Sequence, residues 1–129
     1  MAENARLWLA FCEDWENEDN NEALACAMAA AGTLAVAASD EGVSKALLAE
    51  GCGKCIANLI DSQNPDLCHR SLVMAIEFLQ VLGSIARDHL GECDVVGAIT
   101  RGLSSYSSNL RIVELVKELA LAMNSIPHK

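Results

Sequence analysis

Apolar and polar residues along the chain recur with the three- and four-residue spacing of an α-helix, and no stretch alternates them as a half-buried strand does. This spacing is typical of amphipathic helices that turn one face to a core. The predicted helix over 21–38 is rich in alanine and apolar nearly all round, so both of its faces are expected to be buried. The predicted helices cover approximately 4–12, 21–38, 40–50, 52–61, 65–85, 87–92, 94–104 and 108–125.

Residues that begin or end helices stand at several of these boundaries. Pro65 follows a polar turn and can serve as the first residue of the longest helix. Gly51 can end one short helix and lead into the next. Polar side chains that can accept a hydrogen bond from the first turn precede other helices. The expected N-caps are Asn20 or Asn21, Ser39 or Asp40, and Ser107 or Ser108.

Composition agrees with packed helices. Hydrophobic residues make up 52% of the 129 residues, too many for a disordered chain, whereas aromatic residues make up only 4%. A β-sandwich draws more heavily on aromatic and β-branched residues. No apolar run is long enough to span a bilayer, and the start carries no secretory signal. We therefore expect an all-α, cytoplasmic protein.

The charged residues are unevenly distributed. Eighteen acidic residues against nine basic ones give a formal net charge of −9. Six of the acids lie within residues 13–22, which contain no base, and this stretch is expected to be a solvated loop. Nucleic acids and anionic membranes both attract positively charged surfaces, so neither is an expected partner.

The six cysteines raise the question of disulfides, metal binding or redox chemistry. Because they lie in apolar helical patterns without a secretion signal, we expect free, buried thiols. A zinc site and a Cys52–Cys55 redox pair are weaker alternatives, since these two cysteines fall on small-residue positions of a helical repeat. No metal or other cofactor is predicted. The alternative zinc ligands are Cys52, Cys55, Cys68 and His69.

Internal similarity indicates that the helices repeat. Residues 30–35 align with 75–80 at an offset of 45, and residues 51–60 align with 94–103 at an offset of 43. Two separate segments thus give nearly the same period, which is typical of a helical solenoid. The predicted units of this single domain, 1–129, are a partial repeat over 4–38 and full repeats over 40–85 and 86–125.

These repeats resemble the armadillo family. Residues 45–60 are similar to the family's first and second helices, with Gly51 at their tight bend. Residues 21–35 and 65–80 are similar to its long third helix. The resemblance covers roughly residues 4–125 and implies an all-α, right-handed helical solenoid of about two full repeats and one partial repeat.

Within the armadillo proteins, two segments are most similar to the C-terminal part of the UCS domain of myosin-directed chaperones. They are residues 29–36, AAAGTLAV, and 69–75, HRSLVMA. The resemblance implies a cytosolic protein-interaction module that assists folding of the myosin motor domain beside a heat-shock chaperone. The alternative is an armadillo adaptor or scaffold of a cytoskeletal or signalling pathway, without chaperone activity.

The resemblance also predicts where a partner binds. Armadillo importins hold basic peptides with Trp and Asn on successive third helices, and the corresponding positions here carry no such pair. Nuclear-signal binding of that kind is therefore not expected. The corresponding positions are Ala29, Thr33, Met74, Phe78, Glu114 and Glu118. The residues expected to line a partner-binding groove are His69, Arg70, Met74, Phe78, Glu114 and Glu118.

Known catalytic motifs are missing from the sequence. His69, His89 and His128 lie far apart, and there is no nucleophile turn, phosphate-binding glycine loop or zinc-protease motif. Cys68 and His69 are adjacent, so their side chains leave a helix about 100° apart and do not form a nucleophile pair. The chain is therefore not expected to be an enzyme.

The first predicted helix carries more apolar surface than the polar end of a repeat array needs. It resembles the second helix of a repeat that lacks its first helix, in a fragment or reduced relative of a longer protein. We expect self-association, or contact with the rest of a parent chain, through Leu7, Trp8 and Phe11.

Overall fold

The computed structural model describes residues 2–13, 15 and 21–125 of the chain. Within these residues the protein is helical and contains no strand, which confirms the all-α prediction. A 3-10 helix over Ala2–Asn4 precedes the α-helices. The α-helices are α1 (Ala5–Glu13), α2 (Asn21–Ala37), α3 (Glu41–Ala49), α4 (Cys52–Ile60), α5 (Pro65–Leu82), α6 (Ser84–Glu92), α7 (Val95–Ser105) and α8 (Leu110–Ser125).

Side-chain caps fix the starts of α3 and α5. The Asp40 carboxylate accepts a hydrogen bond from the backbone N–H of Val43. The Asn64 side chain accepts from the N–H groups of the two residues that follow Pro65, which is the first residue of α5. These contacts satisfy N–H groups that have no partner within the helix.

Three predicted boundaries are wrong, one of them the start of α6, which begins at Ser84 and not near residue 87. The cap of α8 is Asn109, whose side-chain oxygen accepts from the N–H of Ile112 at 3.2 Å, and not Ser107 or Ser108. The longest helix ends at Leu82 and not near residue 85, because Gly83 adopts a φ of +64° that interrupts the helix. The predicted cap Asn20 and most of the acidic stretch 13–22 lie outside the described residues, as does the side chain of Asn21.

The turns into α4 and α7 share an unusual backbone conformation. Gly51 has a φ of +70° and Asp94 has a φ of +59°, so both residues are left-handed. Glycine adopts this region at little cost, and aspartate is among the side chains that tolerate it best. The bend made by glycine between α3 and α4 is therefore made by aspartate between α6 and α7.

Packing places α5 at the centre of the molecule. It contacts α2 on one side and α8 on the other, while α4 contacts α1, α5 and α7. None of the described helices has the length and apolar character needed to cross a bilayer. The largest fully buried side chains are Leu34, Leu47, Ile56, Leu59, Ile60, Leu67, Leu72, Met74, Phe78, Leu79, Leu90 and Ile112.

The alanine-rich helix α2 is buried on one face only, which corrects the expectation that both faces are covered. Ala31 and Leu34 are fully buried, whereas Ala29 is exposed and Val36 is 76% exposed. The helix packs mainly on α1 and α5, which leaves the remaining face to solvent. Most residues on that face are small, so their exposure leaves little apolar area in water.

Candidate functional site

The exposed face of the central helix α5 is one residue out of register with the sequence prediction. Met74 and Phe78 are fully buried, so they cannot line an open groove and their assignment to one is wrong. The offset of 45 matches them to Ala29, which is exposed, and Thr33, which is half-buried, but on α5 the residues that reach the surface are Val73 and Glu77. One residue along a helix rotates the side chain by about 100°, enough to exchange a core position for an exposed one.

Phe78 has a structural role instead. Its ring lies edge-on to the ring of His89, with 6.2 Å between the centroids, and so joins α5 to α6. Edge-to-face aromatic pairs stabilise a core beyond the area they bury.

Arg70 points from α5 towards α2. Its guanidinium donates a hydrogen bond to the backbone carbonyl oxygen of Met28 at 2.6 Å and lies directly over Gly32. We call the depression beside it the Arg70 cleft; its volume is about 590 Å³. The cleft is lined by Ala29, Gly32, Thr33, Val36, Ala37 and Arg70.

His69, the preceding residue, points towards α8. Burial lowers the pKa of His69, the positive charge of Arg111 lowers it further, and Asp66 opposes these effects. These effects together favour the neutral form of the imidazole. We call the second depression the His69 cleft; its volume is about 490 Å³. It is lined by Asn64, Pro65, Asp66, His69, Asn109, Arg111 and Ile112.

The two predicted glutamates lie on the exposed side of α8. Glu114 carries its carboxylate 3.7 Å from the guanidinium of Arg111, which also lines the His69 cleft. Both partners are largely exposed, so this ion pair stabilises the protein little. Glu118 is exposed one turn further along the helix. Arg111 thus borders the His69 cleft and also lies beside Glu114, whereas Arg70 faces α2.

The amino-terminal apolar residues are only partly exposed. Leu7 is 51% exposed, while Trp8 and Phe11 are half-buried and pack against the core. Their two rings meet edge-on with 6.1 Å between the centroids. Most of the apolar surface expected here is therefore used within the chain, and Leu7 is its most exposed part.

The cysteines are free thiols in the described part of the chain. Four are buried, Cys93 is half-buried and Cys26 is exposed, which corrects the expectation that all six are buried. Burial raises the pKa of Cys52 to about 12. The pKa of Cys55 is also raised, mainly by a hydrogen bond with Cys12 and secondly by burial. A redox-active thiol needs a lowered pKa, so this pair lacks the electrostatics of a redox centre. Among the described residues, no three Cys, His, Asp or Glu side chains come together as a metal site would require.

Sequence reasoning did not anticipate the contact between α4 and α6. The backbone N–H of Gly53 donates to Nε2 of His89 at 2.9 Å, and the Cys93 sulfur lies 3.8 Å from the same nitrogen. A Cβ at residue 53 would stand 2.9 Å from the Cys93 sulfur, so glycine is required for this close approach. The contact joins residues 36 positions apart, and no spacing in the sequence signals it.

The chain matches no protein-family model, no curated protein and no solved structure.

Proposed function

We propose that the chain is a right-handed armadillo-type solenoid that binds a protein partner and has no catalytic activity. Support comes from the order of helix contacts: α1 contacts α4 and α4 contacts α7, while α2 contacts α5 and α5 contacts α8. Each of these helices thus contacts the helix three places further along the chain, as corresponding helices of neighbouring three-helix repeats do in a solenoid. The shared left-handed bend at Gly51 and Asp94 supports the same proposal.

The observation that carries the binding proposal is the pair of clefts on either side of α5. His69 and Arg70 are adjacent on this helix, yet one lines a cleft shared with α8 and the other a cleft shared with α2. The long helices therefore present a side with two depressions, each containing polar and apolar groups. Solenoid proteins use extended surfaces of this kind to bind partners.

The partner we propose is the myosin motor domain, bound in the cytosol with a heat-shock chaperone acting beside this module. The support is the resemblance of residues 29–36 and 69–75 to the UCS domain of myosin-directed chaperones. Both segments border the Arg70 cleft, because Ala29 and Val36 line one wall and Arg70 lines the other. Ala29, Val36 and Arg70 therefore lie at the surface we propose for binding, while the buried residues of the two segments belong to the core.

The test is a binding titration of the full chain with a purified myosin motor domain, using a kinesin motor domain as the control partner. Val36→Glu places a charge in the Arg70 cleft, and Val96→Glu is its matched control because Val96 is exposed on α7. We expect binding to myosin alone, with affinity about tenfold lower for Val36→Glu and unchanged for Val96→Glu. Failure to bind myosin overturns the chaperone proposal and favours an adaptor with another partner. Equal losses in both variants contradict the assigned surface.

A further inference from the structure

In the Arg70 cleft, the neighbouring helix α2 has no side chain at Gly32, and the guanidinium of Arg70 occupies the space. In an α-helix the carbonyl of residue 28 accepts from the N–H of residue 32, so a side chain at 32 stands beside that carbonyl. Because residue 32 is glycine, the Met28 carbonyl stays open to a second donor. Arg70 supplies that donor at 2.6 Å.

Glycine at position 32 is unfavourable for the helix itself. A glycine in a helix interior makes the helix less stable than an alanine does, and the residues around Gly32 are mostly alanine. A Cβ at this position would collide with the guanidinium of Arg70. The missing side chain at Gly32 thus leaves the space that the guanidinium occupies, and the hydrogen bond to the Met28 carbonyl holds the positive charge against α2.

Arg70 differs in its partners from three other arginines of the protein. Arg87, Arg101 and Arg111 each lie within ion-pair distance of a carboxylate. Arg70 has no carboxylate at that distance among the described residues, and the acceptor of its hydrogen bond is a neutral carbonyl. A guanidinium has five N–H donors and binds a carboxylate through two of them. The donors not used by Met28 are available to an acidic group.

The rest of the Arg70 cleft is apolar. The Thr33 hydroxyl donates to the carbonyl of Ala29 at 2.9 Å, so its proton is already used within α2. Val36 projects into solvent at the edge of the cleft, with 76% of its surface exposed. A volume of about 590 Å³ holds more than a single carboxylate, so an aliphatic side chain fits beside one.

We propose that the Arg70 cleft binds a partner segment in which an aspartate or glutamate stands next to an aliphatic residue. The carboxylate pairs with Arg70, and the aliphatic side chain packs on Ala29 and Val36. This inference rests on the proposed function, since it specifies the chemistry of the partner segment. A carboxylate suits the cleft better than a phosphate, because one guanidinium balances one negative charge.

The negative net charge of the chain opposes the binding of acidic segments in general. With a formal charge of −9, the protein repels acidic peptides at long range. Binding of an acidic segment therefore has to come from local contacts in the cleft.

The test uses three capped peptides: acetyl-Ser-Glu-Leu-Leu-Ser-amide, its Glu→Gln form and a form with both leucines replaced by serine. Each is titrated into the full chain while the NMR signals of Thr33 and the Arg70 side chain are followed. We expect the first peptide to bind about tenfold more tightly than either of the others, because each control lacks one of the two contacts. Arg70→Gln should abolish the preference for Glu over Gln. Arg101→Gln, which removes an arginine already paired with Asp61, should leave the preference intact.

Equal binding of the Glu and Gln peptides overturns the inference, as does the absence of binding at millimolar concentration. Gly32→Ala provides a second check, because it displaces the guanidinium without changing the charge and should weaken the first peptide. If the motor domain binds Arg70→Gln as well as it binds the unmodified chain, the inference fails while the proposed function stands. If the motor domain does not bind at all but the peptide preference is present, the myosin proposal fails alone.

Discussion

Along α5, Met74 and Phe78 are fully buried, whereas Val73 and Glu77, each one residue earlier, reach the surface. The two faces share one helix and nearly the same sequence positions. What separates them is the packing of α2, α3, α4, α6 and α8 around α5, which leaves a single strip of α5 in contact with solvent. Which residues of a helix reach the surface depends on the rotation of the helix about its axis. An error of one residue in the alignment therefore exchanges a surface position for a core position.

The largest expected difference between the two faces is in stability. Phe78→Ala should lower the free energy of unfolding by about 3–5 kcal/mol, the range for truncating a buried aromatic side chain. The adjacent change Glu77→Ala should alter it by no more than about 0.5 kcal/mol, as is usual at a surface position. Urea denaturation of both variants measures the difference. Similar losses in the two variants would contradict the rotation assigned to α5.

The amino-terminal helix α1 offers a second contrast of buried and exposed residues. Leu9 is buried, Leu7 is exposed and Trp8 is half-buried at the edge of the core. If this edge mediates self-association, the average mass in sedimentation equilibrium should rise with protein concentration. Trp8→Glu should reduce that rise, because a carboxylate would have to be buried in the contact. A monomeric unmodified chain at all concentrations would contradict the expected self-association.

A smaller effect distinguishes two helical glycines. Gly91→Ala should stabilise the protein by about 0.4–1 kcal/mol, because a Cβ there meets open space and alanine restricts the unfolded chain. Gly32→Ala should give no such gain, since the added Cβ displaces Arg70. Thermal unfolding of the two variants tests the fit between Arg70 and α2. An equal gain at both positions would show that Arg70 does not depend on Gly32.

The smallest expected effect is the titration of His69. Its pKa lies below the ordinary value of 6.5, chiefly through burial and through Arg111. As the pH falls, the unfolded chain therefore binds this proton first, and stability decreases slightly as the pH drops through 6.5. His69→Gln should remove this contribution. An NMR titration gives the pKa directly, and Arg111→Gln should raise it; a pKa of His69 above the ordinary value would contradict the account.

Local features of the fold could be predicted from the sequence. Helix periodicity and caps such as Asp40 depend on residues close together in the chain, so the helices appear near their predicted positions. Boundaries were less certain where several residues can serve the same purpose, as with Ser107, Ser108 and Asn109 before α8. Each of these side chains can accept a hydrogen bond from the first turn.

The candidate site could be predicted only in part. The His69-Arg70 pair was identified, but the exposed register of α5 depends on how α2 and α8 pack against it. The contact of Arg70 with the Met28 carbonyl joins residues 42 positions apart, and that of Gly53 with His89 joins residues 36 apart. Neither contact leaves a periodic signal, so both required the three-dimensional structure.

Photo-crosslinking tests most directly whether the partner binds the surface formed by α2, α5 and α8. A photoreactive amino acid is placed singly at Val36 and Val73, and at the exposed control positions Val96 and Leu103 on α7. With the myosin motor domain present, we expect crosslinks from Val36 and Val73 and none from the two α7 positions. Crosslinks from α7 alone would contradict it and place the binding surface on another side of the protein.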